Sequence, residues 1–128
     1  MDLQLWKEIL APYNLAVEEL TVKFNHIIKE YRQQGYYSPI EQVTGRVKSI
    51  SSIIGKAQKK NIDMDKITEY MEDIAGVRLI CQFANDIYSV VDMIRARSDM
   101  KVKTEKDYIT NVKDSGYRSY HIIVMYKV

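Results

Sequence analysis

A stripe of apolar side chains at three- and four-residue spacing does most to limit the folds open to this chain. Tyr13, Val17, Leu20, Phe24, Ile27 or Ile28 and Tyr31 recur on one face of a predicted helix from Pro12 to Gln34. Pro12 suits a first helical turn, where a missing N–H costs nothing, and Gly35 is the expected stop. Residues 2–10 read as a shorter, apolar-rich helix ahead of it. Past the turn at Ser38-Pro39 the period switches to two, and residues 43–48 alternate as a strand. Helical spacing returns over 49–60, with Ser49 or Ser51 able to cap it, and again over 64–71. A buried strand over 76–83, a helix over 85–97, a strand over 100–108, a loop over 110–116 and a long strand over 117–128 complete the pattern. The order α-α-β-α-α-β-α-β-β predicts an α+β fold, a mixed β-sheet flanked by helices. It forms one domain over 1–128, with a helical N-terminus (1–35) and a partial sheet with helices (36–128). The last strand is still apolar at Tyr126-Lys127-Val128, so the C-terminal part of the domain is expected to lie beyond it.

Composition removes several classes of function. With 46% hydrophobic and 28% charged residues, the chain has the make-up of a globular domain with one core. No apolar run approaches the roughly 18 residues of a membrane span, and MDLQLWKEIL lacks the basic start of a secretory signal. No membrane contact is therefore expected, and the cytoplasm is the expected compartment. The single cysteine, Cys81, allows no internal disulfide and reads as a buried structural thiol within Leu79-Ile80-Cys81. Two distant histidines offer no zinc set, and no Ser-His-Asp arrangement or glycine-rich nucleotide loop of either common type is present.

A net charge of +2 does not by itself announce a polyanion partner, but its placement is uneven. Residues 46–60 hold Arg46, Lys48, Lys56, Lys59 and Lys60 and no acid. On a strand, Arg46 and Lys48 share a face about 7 Å apart; on the following helix Ser52 and Lys56 share one too. Three cations and a hydroxyl converging where a strand feeds a helix suit a polyphosphate. The same spacing also describes a solvated basic edge. Further on, Asp73 precedes a small-residue turn into a buried strand, a place that suits a magnesium-binding carboxylate or a simple turn cap. Arg78 lies on the face opposite Val77 and Leu79, where a guanidinium can stack on a base. A third group runs from Lys106-Asp107-Tyr108 through Lys113, Ser115 and Gly116 to Tyr117, Ser119 and His121. The last three share one strand face, Tyr117 able to stack a purine and His121 to donate to a phosphate or ribose oxygen. Taken singly, an aromatic residue on a strand is core more often than base platform.

Taken together, SPIEQVTGRVKSISSIIGKAQKK, MEDIAGVRLICQF and KDYITNVKDSGYRSYH resemble the synthetase domain of the RelA/SpoT family, in family order and near family spacing. The likeness is strongest to its small single-domain alarmone synthetases. The resemblance implies a nucleotidyltransferase-like synthetase fold and a bacterial, cytoplasmic GTP pyrophosphokinase that passes pyrophosphate from ATP to the 3′-hydroxyl of GTP or GDP. It further implies that Arg46 and Arg78 sandwich the adenine, that Lys48, Ser52 and Lys56 hold the ATP phosphates, and that Asp73 binds Mg2+. Tyr117 would stack on the acceptor guanine, with Lys106, Lys113 and His121 on its phosphates or ribose. Family members often carry arginine where this chain has Lys106, which keeps the charge and loses the planar fork. The family's glutamate, in an E-x-Q-x-R-T strand, is expected beyond Val128. No catalytic residue is thus expected within the chain, and the chain alone is not expected to turn over. No hydrolase motif precedes the synthetase motifs, and the full-length protein is expected to form a homotetramer through terminal helices. Two other classes remain open from the residues: a non-catalytic module binding nucleotides or single-stranded RNA, and an interaction protein for which these side chains are incidental surface.

Overall fold

The computed structural model describes residues 3–111 and 119–128. The class is α+β, as expected. Its first element, helix α1 (Leu3–Gln33), is continuous and carries Pro12 inside it, where two helices separated at Pro12 were expected. Trp6, Leu10 and Tyr13 all pack on one core, so the apolar stripe runs through Pro12 without changing phase. Burial on both sides of Pro12 outweighs the roughly 3 kcal/mol that an interior proline costs. At the other end Gly35 stops the helix, as predicted, with φ 74°. Its N–H donates to the Arg32 carbonyl at 3.1 Å, and the Tyr36 N–H donates to the Tyr31 carbonyl at 2.9 Å. This paired closure needs a left-handed residue, which glycine supplies without strain.

The chain divides into two compact units. The first comprises Met1–His26, Val43–Arg78 and Val128. It contains most of strand β1 (Gln42–Val47), helix α2 (Ile50–Lys59), a 3-10 turn (Met64–Lys66), the short helix α3 (Ile67–Tyr70) and the start of strand β2 (Ala75–Ile80). The expected helix over 64–71 is thus a tight turn followed by a single α-turn. Trp6, Ile53, Ala57, Ile67, Met71 and Ile74 form its core, each at most 4% exposed, with Leu10, Tyr13, Ile50, Ile54, Ile62 and Met64 packed around them. Strand β1 pairs with β2. The Glu41 N–H reaches the Ile80 carbonyl at one end and the Lys48 N–H the Ile74 carbonyl at the other, so the two run antiparallel.

Gly45 is where β1 lies directly on α1. A Cβ there would collide with Val17 Cγ1 and stand 2.9 Å from Thr21 Oγ1. Valine in a helix has almost no rotamer freedom with which to yield. Gly45→Ala is therefore expected to lower stability by about 1–3 kcal/mol, read as a fall in the thermal unfolding midpoint. An unchanged midpoint would show that β1 and α1 are not in close contact.

The second unit comprises Ile27–Gln42 and Leu79–Lys127. Here Val90, Val91 and Ile94 of helix α4 (Ala84–Ala96) are buried, as are Ile28, Ile40 and Met100. The Asp86 carboxylate accepts the Phe83 N–H at 3.2 Å and closes the start of α4. Strand β3 (Met100–Asp107) pairs antiparallel with β4 (Tyr120–Tyr126), Lys106 opposite His121 and Asp107 opposite Tyr120. Among the described residues the strands therefore form two two-stranded antiparallel sheets, where one mixed sheet was expected. Alternation along a strand fixes its faces but not its partner, which is chosen by contacts distant in sequence.

Candidate functional site

In the first unit, Ser49 caps α2 by accepting the Ser52 N–H at 3.2 Å and donates its own hydroxyl to Ser52 Oγ at 2.8 Å. The cap fixes where the first turn of α2 begins. Ser52 and Lys56, one turn apart, then emerge on one face while Ile53 and Ala57 are buried in the core. Strand β1 ends at Val47, so Lys48 is the first residue beyond it rather than part of it. Its ammonium still reaches the turn before β2.

That turn carries Asp73, and the structure brings two other expected residues to it. Lys48 Nζ lies 2.9 Å from Asp73 Oδ2, and Lys56 Nζ pairs with the same oxygen. The Lys48 and Lys56 side chains are 13% and 29% exposed and that of Asp73 47%, so the lysine stems are covered while the carboxylate faces solvent. Partial burial works to raise the Asp73 pKa, but the hydrogen bonds and charges of Lys56 and Lys48 win and hold it down at about 2. Two ammonium groups against one carboxylate leave the trio with a local excess of positive charge. Asp73 does not act as the simple turn cap that its sequence also allowed.

Beside the trio, Ser52, Gly55, Lys56, Lys59 and Lys60 line a shallow open depression of about 550 Å³. Lys59 and Lys60 were legible only as part of a basic stretch. Their spacing from Lys56, three and four residues on, was the signal that places all three along one helix face. Arg46 and Arg78 stand at exposed positions of the paired strands β1 and β2, and neither guanidinium has a hydrogen bond or ion pair among the described residues. Arg78 alternates with the half-buried Val77 and Leu79, as the pattern predicted.

In the second unit, Lys106 and His121 are cross-strand partners on one face of the β3–β4 ladder. The His121 ring meets Tyr108 edge-on, centroids 5.2 Å apart, a contact that no local pattern announced. Lys113 and Tyr117 lie outside the described residues. Cys81 is half-buried rather than buried, and desolvation pushes its thiol up to about 11, which makes it a poor nucleophile. Among the described residues no three carboxylate, imidazole or thiolate groups come together, so a metal here would need oxygens from a ligand besides Asp73. No described helix is long and apolar enough to cross a membrane.

Residues 45–128, which contain all the expected site residues, match the family model described as the region found in RelA/SpoT proteins. The chain belongs to the RelA/SpoT family. It is 50% identical over 126 residues to the GTP pyrophosphokinase YjbM of Bacillus subtilis, covering 98% of this chain and 59% of that protein. Its fold superimposes on a GTP pyrophosphokinase family protein from Streptococcus pneumoniae with a TM-score of 0.94 at 48% identity, over 100% of this chain and 63% of that one. The small alarmone synthetase 1 from Bacillus subtilis, solved with its product pppGpp, gives a TM-score of 0.90 at 50% identity, over 96% of this chain and 64% of that one. The chain thus spans about three-fifths of the length of these family members.

Proposed function

We propose that the protein containing this chain is a GTP pyrophosphokinase that makes (p)ppGpp from ATP and GTP or GDP. The observation that carries this is the convergence of Lys48, Lys56 and Asp73 beside Ser52, in a chain half identical to a GTP pyrophosphokinase. In this reading the acceptor's 3′-oxygen forms a bond to the β-phosphorus of ATP. The bond between that phosphorus and the α–β bridging oxygen breaks, and AMP leaves with the bridge. The proton of the 3′-hydroxyl passes to a glutamate expected beyond Val128. Lys48, Ser52 and Lys56 neutralise and align the triphosphate, while Arg46 and Arg78 stack on the adenine. On the acceptor, Tyr117 stacks on the guanine and Lys106, Lys113 and His121 contact its phosphates or ribose.

Asp73 is the residue that would hold Mg2+, which when bound offsets charge on the phosphate oxygens. Its exposed carboxylate fits such a role: both lysines sit on Oδ2, and Oδ1 has no hydrogen-bond partner among the described residues. A triphosphate would also compete for the two ammonium groups and release the carboxylate. Leu3, Leu15 and Val22 of α1 are apolar and 48–68% exposed, which supports a homotetramer of the full-length protein. The compartment proposed is the cytoplasm.

The direct test is to incubate the full-length protein with ATP and GTP and separate the nucleotides. AMP should appear mole for mole with pppGpp. Hydrolysis of ATP with no pppGpp formed would overturn the reading.

A further inference from the structure

The β3–β4 ladder has two faces with different occupations. Lys106 and His121 share one; Glu105, Asp107 and Tyr120 share the other. On this second face a chain of polar contacts ties the ladder to α4. Arg95 of α4 donates to Glu105 Oε1 from Nη2 at 2.8 Å and from Nε at 3.1 Å. The Tyr120 hydroxyl donates to the same oxygen at 2.8 Å, and its ring meets Tyr88 of α4 edge-on, centroids 6.0 Å apart. The Tyr88 hydroxyl donates to Asp107 Oδ2 at 2.8 Å and lies 2.8 Å from Thr110 Oγ1.

Asp107 is the end of this chain of contacts and also the last residue of β3. Its Oδ1 accepts the backbone N–H groups of Ile109 at 2.8 Å and Thr110 at 2.9 Å. One carboxylate thus turns the backbone immediately after the strand, and a phenol on α4 orients that carboxylate. The Tyr108 N–H then donates to the Ser119 carbonyl at 2.8 Å, so the chain leaves β3 and re-enters β4 at a fixed separation. Lys106 precedes this closure and His121 follows it, and Tyr108 inside it packs on His121. Hydrogen bonds led by the Thr110 N–H hold the Asp107 pKa below the usual carboxylate value, so the clamp is ionised at neutral pH.

We infer that Tyr88 and Asp107 are positioning residues for the guanine-nucleotide acceptor: they touch no substrate, and they fix the turn that sets Lys106 against His121. The inference rests on the acceptor role proposed for those two residues. It assigns the clamp to one substrate only. Lys48, Ser52, Lys56 and Asp73 belong to the other compact unit and make none of these contacts.

The test uses the full-length protein carrying Tyr88→Phe, Asp107→Ala or Asp107→Asn. Tyr88→Phe keeps the ring and removes only the hydroxyl, so it leaves the packing on Tyr120 in place. Losing that hydrogen bond in Tyr88→Phe, or both side-chain oxygens in Asp107→Ala, should raise KM for GTP roughly tenfold while KM for ATP stays within about twofold. Asp107→Asn retains an oxygen for the Ile109 and Thr110 N–H groups and should restore most of the affinity that Asp107→Ala loses. An unchanged KM for GTP in both Tyr88→Phe and Asp107→Ala would overturn the inference. So would a parallel rise in KM for ATP, or an Asn variant no better than the Ala variant. Should the parent protein form no pppGpp, the functional reading fails by itself. GTP dissociation constants of the same variants then decide the clamp, and equal values for parent and variants would overturn it.

Discussion

Asp73→Asn is expected to remove nearly all pppGpp synthesis while leaving the protein folded. The side chain is 47% exposed and its ion pairs are at the surface, so losing them costs only about 0–1 kcal/mol of stability. The effect on turnover is of another order, because the carboxylate is the one that Lys48 and Lys56 both contact. Loss of one preorganised charge at a reacting phosphate should cost on the order of 10²–10³-fold in kcat. Binding should move the other way. Freed of their carboxylate, Lys48 and Lys56 present two uncompensated ammonium groups to a polyanion, so ATP measured without magnesium should bind at least as tightly as before. The two readouts separate the proposed role from a structural one, which would weaken both. Turnover within about threefold of the parent would sink the assignment.

The largest stability effect is expected at Trp6. It is 3% exposed, and it belongs to the core formed with Ile53, Ala57, Ile67, Met71 and Ile74. Replacing a buried tryptophan by alanine typically costs about 3–5 kcal/mol, a large share of the roughly 5–15 kcal/mol that holds a domain folded. The loss should also be visible locally. Trp6 and Leu10 anchor the part of α1 that precedes Pro12, and a proline within a helix leaves the turn around it short of a hydrogen bond. Trp6→Ala should therefore fray the first turns of α1, seen as lower helical circular dichroism before the main transition and a lower urea midpoint. A midpoint lowered by less than the equivalent of about 1 kcal/mol would show that this segment is not held by the core.

Sequence patterns carried some of this and not the rest, for identifiable reasons. The phase of the apolar stripe from Tyr13 to Tyr31 and the Gly35 stop were legible because they are local. So was the alternation that exposes Arg78 between Val77 and Leu79. The break expected at Pro12 came from applying a local rule where a continuous phase, already set at Trp6 and Leu10, overrode it. The trio of Lys48, Lys56 and Asp73 was legible as residue types. Its geometry was not, because the contacts join positions 25 and 17 residues apart. Likewise, β3 and β4 read as strands, but nothing in their alternation says that Asp107 is gripped from α4.

Gly45 has one more consequence. Where two elements meet through side chains, a small displacement of one is absorbed by rotamer adjustment before the other feels it. At this crossing β1 contributes no side chain of its own, and only the Val17 and Thr21 side chains of α1 stand between the two backbones. A slide or rotation of α1 therefore has one layer of side chains rather than two to absorb it before it reaches the peptide that carries the neighbouring Arg46 guanidinium.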